Sequence, residues 1–185
     1  MLALTGGPAL AAPTASLLAG YAFRSASDGR AHGAAASLGI DVPLTEAWAV
    51  RPEGLVVGFG GSDLAPASLG LFAGALSLVY RFDDTDAIAV AAVGPLVGAV
   101  ADGPEVGLRA GALASLGLRF VVLPAVAVEA RLALPLTLWG PQGFVAPGAT
   151  TFPDESVNNL PLQTCFTLGL AVDPLALFSD DASER

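Results

Sequence analysis

Four charged side chains fall on one register of two neighbouring runs: Arg109 and Arg119 in the first, Glu129 and Arg131 in the second. Carboxylates and guanidinium groups held together out of water make short, charge-assisted and often two-pronged hydrogen bonds. Asp41 and Arg81 have the same small-residue register in other runs, and Arg24 is a further candidate. The set predicts a cluster of paired charges inside an enclosure. Filling that enclosure is its simplest use, and selecting a passing solute is the functional alternative.

Other chemistry finds no support. His32 is the only histidine, and the sequence places no serine or acid with it, so a Ser-His-acid triad is unsupported. It reads as a residue of the first long loop. The glycines of Gly58-Phe59-Gly60-Gly61 are followed by no lysine and no helix start, so they form no phosphate loop. Asp83, Asp84 and Asp86 lack the spaced ligand series of a calcium loop. Cys165 is the single cysteine and forms no intrachain disulfide. No catalytic residue, metal or cofactor is expected.

The elements that carry the charges show what encloses them. In Val106–Phe120, Leu108, Ala110, Ala112, Ala114, Leu116, Leu118 and Phe120 alternate with Gly107, Arg109, Gly111, Leu113, Ser115, Gly117 and Arg119. In Val126–Trp139, Val126, Val128, Ala130, Leu132, Leu134, Leu136 and Leu138 alternate with Ala127, Glu129, Arg131, Ala133, Pro135, Thr137 and Trp139. A period of two argues strand. Each run exceeds the roughly 9–11 residues that cross a bilayer as a tilted strand. One face is wholly apolar and suits lipid. The other, of Gly, Ser, Arg and Glu, suits a narrow lumen. Placing Phe120 opposite Val126 sets Glu129 opposite Gly117, with Arg119 on the diagonal and Arg131 opposite Ser115.

Composition agrees. Hydrophobic residues make up 54% and charged residues 14%, against roughly 45–50% and 25% in soluble domains. Much of the surface therefore need not face water. The longest uncharged runs contain Pro, Gly or both, so they make poor transmembrane helices. A closed barrel is the remaining way to cross a membrane with every backbone group satisfied. The net charge is −9, every basic residue is Arg, and no basic patch suits nucleic acid. Residues 1–14 resemble the end of a secretory signal, with Ala9-Leu10-Ala11 fitting a cleavage site, or else form a frayed terminus.

Eight strands are predicted between residues 15 and 172: 15–24, 34–44, 48–60, 69–82, 88–100, 106–120, 126–139 and 162–172. In the third, Arg51 and Glu53 share a face with Leu55, Val57 and Phe59, and a bulge near Pro52-Glu53-Gly54 is expected to reset the register. Links 2–3, 4–5 and 6–7 are short and the other four mostly longer, the longest being 140–161. Phe23, Trp48, Tyr80, Phe82, Phe120 and Trp139 gather near strand ends, as interfacial girdles do. Residues 173–185 read as a loose acidic tail.

The segments DVPLTEAWAVRPEG, YRFDDTDAIAVAAVG and LRFVVLPAVAVEARLALPL resemble the small eight-stranded outer-membrane barrels of outer-membrane protein A, outer-membrane protein W and opacity-protein type. The likeness covers roughly residues 15–172, departing in the tail that follows the last strand and in the richness in Ala and Gly. The fold class expected is all-β, an up-and-down antiparallel eight-stranded transmembrane barrel. The expected function is a non-enzymatic bacterial outer-membrane protein with a structural or surface role, a lumen plugged by Arg and Glu, membrane lipid as its partner and a monomeric state. The alternatives are a narrow channel or hydrophobic-solute conduit, and a soluble lipocalin-like barrel holding a small apolar ligand. An epitope inserted after Gly148, in the longest link, is expected to stain on intact cells; staining only after the outer membrane is opened would invert the topology.

Overall fold

The structure is a computed structural model that describes residues 12–26, 29–60, 69–84, 87–102, 105–123, 125–139 and 162–178. The alternating runs become eight strands: β1 (Thr14–Ala26), β2 (Gly29–Pro43), β3 (Trp48–Phe59), β4 (Leu69–Asp84), β5 (Ala87–Asp102), β6 (Glu105–Leu123), β7 (Val126–Trp139) and β8 (Leu162–Val172). Each pairs antiparallel with its sequence neighbour, and β8 returns to β1, closing the barrel. Closure matters physically, because no strand edge is left with unpaired backbone groups in lipid.

The register fixes the shape. Ala22 pairs with Cys165, Cys165 with Ala133, Ala133 with Ser115, and Ser115 with Ala92. Ala92 pairs with Val79, Val79 with Ala49, and Ala49 with Pro43. Continuing the β1–β2 register sets Pro43 opposite Ala12, ten residues from the starting Ala22. A shear of ten on eight strands tilts them by roughly 40°, and a barrel of this size has a bore that side chains can fill.

The apolar register faces outward. Leu17 and Leu116 are each 64% exposed, and Leu38, Phe72, Leu76, Val97, Phe166 and Leu168 are also exposed. The inward register carries the charges at one level and apolar side chains at another, including Leu55, Val57, Phe59, Leu71, Leu96 and Leu113. Aromatic groups mark both ends of the belt. Trp48 lies edge-on to Tyr80 at 4.6 Å, and Tyr80 to Phe82 at 4.4 Å, beside links 2–3 and 4–5. Near the opposite end, His32 contacts the rings of Tyr21 and Phe23. His32 and Val42 are ten residues apart on the outer face of β2. At about 3.3 Å per residue and this tilt, they span about 25 Å, the height of an outer-membrane apolar band.

Several expectations need correction. His32 is not in a loop. It lies in β2 opposite Phe23, and Tyr21 Oη hydrogen-bonds its Nδ1 on the outer face. Strands β1, β2, β5 and β6 run further than expected, so links 1–2 and 5–6 shrink to two residues each and only links 3–4 and 7–8 are long. No bulge resets β3: its inward and outward residues alternate without a break from Trp48 to Phe59. Pro52, which has no N–H, points outward, and the β2–β3 ladder lapses beside it without a shift. Pro95 does the same to the β4–β5 ladder. A real bulge lies between Val121 and Leu123, and the β6–β7 register is two residues from the expected one, with Phe120 opposite Val128.

The tail's first residues are not loose. Asp173 Oδ1 accepts from Leu175 N at 2.9 Å and Ala176 N at 3.1 Å, capping a short helix, α1 (Pro174–Phe178). Residues 1–11 of the signal-like segment 1–14, the long link 140–161 with its epitope position, and 179–185 lie outside the described residues, as do the side chains of Arg24 and Trp139.

Facing sets a measurable cost. Leu116→Arg and Leu134→Arg are expected to destabilise folding into bilayers by about 2–4 kcal/mol each near the midplane. Phe120→Arg, at the turn end, should cost only about 0–1 kcal/mol. Denaturant titration in lipid vesicles measures all three, and equal, negligible costs would refute the facing.

Candidate functional site

The charged level of the lumen is a closed circuit of ion pairs. Asp41 on β2 stands opposite Arg51 on β3, and both side chains point inward. Arg51 grips it with two prongs, Nε to Oδ1 at 2.5 Å and Nη2 to Oδ2 at 3.0 Å. Across the bore, Arg119 on β6 brings Nη2 to 2.8 Å from Asp41 Oδ2 and donates Nε to Glu129 Oε2 at 2.7 Å. Glu129 on β7 also accepts from Arg131 Nε at 2.9 Å and Nη2 at 2.7 Å. Arg131 then reaches Glu53 on β3 through Nη1. Because Arg51 and Glu53 share β3, the circuit β3–β2–β6–β7–β3 is complete. Arg51 Nη1 also lies 3.9 Å from Glu129 Oε1.

Two further strands touch the circuit. Arg81 on β4 stands 3.6 Å from Asp41, and Ser16 Oγ on β1 lies 3.4 Å from Arg131 Nη2. Arg51 and Glu129 have no exposure, while the Arg81 side chain keeps 11%, the most in the group. The site lies near the end that carries links 2–3, 4–5 and 6–7: Asp41 precedes the end of β2 by two residues, and Arg81 that of β4 by three.

Small residues make the room. A Cβ on Gly39 would come within 3.3 Å of the Arg51 side chain, and one on Gly117 within 3.6 Å of Glu129 Oε1. The bulge after Val121 sets the pairing, so Arg119 stands directly opposite Glu129 and Gly117 opposite Arg131.

Of the residues expected from sequence, Asp41, Arg81, Arg119, Glu129 and Arg131 come together. Arg109 does not join them. It lies ten residues from Arg119 along β6, about 33 Å of extended chain away, and its Nη1 donates to Leu108 O at 3.0 Å. Arg51 and Glu53 were missed. Their register is apolar over the rest of β3, which hid its direction. The usable signal was that an Arg and a Glu two residues apart fit a lumen far better than lipid.

The rest of the described lumen is mostly apolar, with Ser37, Ser115, Gln163 and Thr167 also buried. Beyond the charges toward the long-link end, Leu55, Val57, Phe59, Leu71, Leu96 and Leu113 pack with Ala22, Ala35, Ala133 and Cys165. Shallow apolar grooves lie on the outer wall instead. One runs over Ala89, Ala91 and Ala130 between Phe82, Leu118 and Phe166.

No protein-family model and no curated protein matches this sequence. Solved structures do match. The chain is 14% identical to Neisserial surface protein A, with 90% of this chain and 99% of that one covered and a TM-score of 0.62. It is 12% identical to Ail, the attachment invasion locus protein of Yersinia pestis, with 88% and 99% covered and a TM-score of 0.52. The outer membrane protein OprG from Pseudomonas aeruginosa also scores 0.52, at 10% identity, with 88% and 96% covered. The chain has the fold of a small outer-membrane barrel. At these identities the likeness rests on strand number and pairing, and the charged circuit is argued from this chain's own geometry.

Removing one partner from an enclosed ion pair costs more than the pair contributes, about 3–5 kcal/mol, because the other charge is stranded. Glu129→Ala takes a carboxylate from both Arg119, left with Asp41, and Arg131, left with Glu53, and is expected to lose stability on that scale. Glu129→Gln keeps the volume and an acceptor and should lose less. Urea unfolding in vesicles checks the order, and an Ala variant as stable as wild type would contradict it.

Proposed function

We propose that this chain is a bacterial outer-membrane protein with a structural or surface role, no enzyme activity and a lumen sealed to ions. The observation that carries this reading is the buried circuit of Asp41, Arg51, Glu53, Arg119, Glu129 and Arg131 across the bore. Water and ions moving along the axis would have to break charge-assisted bonds in a space that side chains fill. The apolar level beyond it adds a second barrier. The outward belt supports lipid as the surrounding partner, and the fold supports an outer-membrane location; a monomeric state is proposed with it. Two of the similar structures are named a surface protein and an attachment invasion locus protein, wording that suits a surface role.

A second reading has one observation in its favour. The long-link half of the lumen is lined mostly by apolar side chains, with Gln163 among them, which suits a hydrophobic-solute conduit better than an ion channel.

Planar-bilayer recording of the folded, full chain tests the first reading, with cell fractionation and heat-modifiable gel migration placing the protein. Little or no steady conductance is expected at ordinary salt. Large, stable channels would overturn the sealed lumen, and accelerated entry of an apolar dye into vesicles would promote the conduit.

A further inference from the structure

We propose that the lumen holds one small monovalent anion of chloride size, between Arg51, Ser77, Arg81 and Arg119. The charge balance points there first. Among the described side chains of the circuit and its neighbours, four guanidinium groups (Arg51, Arg81, Arg119, Arg131) face three carboxylates (Asp41, Glu53, Glu129). Arginine does not shed its proton in a protein, so the surplus positive charge stays. A buried charge without a partner is costly, and among the described residues no further carboxylate pairs with these groups.

The donors left without hydrogen bonds belong to residues that surround Asp41 or stand opposite Arg51. Asp41 already serves three guanidinium groups. Arg51 Nη1, Arg81 Nε and Nη2, Arg119 Nη2 and Ser77 Oγ are buried without hydrogen-bond partners. Arg119 Nη2 lies close to Asp41 but off hydrogen-bonding geometry. Ser77 stands opposite Arg51 on the adjacent strand, with both side chains inward and almost wholly buried. Glu53 is engaged by Arg131 through Oε1, and its Oε2 is buried without a hydrogen-bond partner. The result is a set of donors from three strands whose carboxylate neighbours, among the described residues, are Asp41 and, 3.9 Å from Arg51 Nη1, Glu129.

Water would occupy such donors but would leave the charge standing, whereas a monovalent anion answers both. A dianion would reverse the imbalance. The enclosure limits size, since Arg51, Ser77 and Arg119 are almost sealed. Arg81, nearest the turn end and the most exposed, is the way in.

The test uses the folded full chain. Crystals grown with bromide in place of chloride are expected to show one anomalous peak within hydrogen-bonding distance of the Arg51 and Arg81 guanidinium groups. In detergent at constant ionic strength, replacing gluconate by chloride should raise the melting midpoint saturably, as a ligand bound only to the folded state does. Arg81→Gln removes the surplus charge and should abolish that chloride response. The proposal is overturned by ordered water or a carboxylate such as Asp83 at the donors, by a midpoint indifferent to chloride, or by a bromide peak without any chloride effect, which would be an adventitious ion only. If Arg81→Gln does not fold, the two wild-type measurements decide alone.

Discussion

Everything in this barrel depends on the ion pairs that link opposite walls of the lumen. Neighbouring strands are held by their backbone ladders, but ladders alone do not set how wide a closed sheet stands. Asp41 to Arg119 joins β2 to β6, and Arg131 to Glu53 joins β7 to β3. These bonds cross the bore rather than run along the sheet. They form in low dielectric, where charge-assisted contacts are strong and their loss is severe. The circuit therefore serves as both brace and seal. At Gly39 a Cβ would crowd the Arg51 side chain, and at Gly117 it would crowd Ala130 O beside Glu129.

The outer surface follows the opposite rule. The outer wall meets lipid rather than water, so large apolar side chains such as Leu17, Phe72 and Leu116 face out. Ala and Gly on the inward register are what let long Arg and Glu side chains lie flat across a bore made by eight strands. The shear, the tilt and the aromatic groups at both ends then follow from fitting about 25 Å of apolar wall to a bilayer. Apolar packing in the other half of the lumen supplies stability that a wholly charged interior would lack.

Much of this was legible in the sequence because the period of two is long and clean in β1, β2, β6 and β7. Leu116 and Glu129 could be faced correctly from their neighbours alone. The register between β6 and β7 could not, because the bulge between Val121 and Leu123 leaves no mark in an all-apolar stretch before Pro124. Arg51 and Glu53 escaped for a related reason: β3 has apolar residues on both faces beyond Glu53, so alternation there carries no direction. His32 looked like loop because Ser, Asp and Gly surround it, yet a tight connection lets β1 and β2 pair through that polar stretch. Pairing across space, not local propensity, decided each case.

The central claim is that charges on opposite walls are energetically coupled through the lumen. A double-mutant cycle between Asp41 and Arg119 measures it directly, using Asp41→Asn, Arg119→Gln and the pair, unfolded reversibly in lipid bilayers. Contacting residues couple by about 0.5–3 kcal/mol, whereas distant ones add within about 0.3–0.5 kcal/mol. The account predicts a coupling clearly in the first range, with the double variant less unstable than the sum of the singles. Strict additivity would show that the two walls do not hold each other and would contradict it.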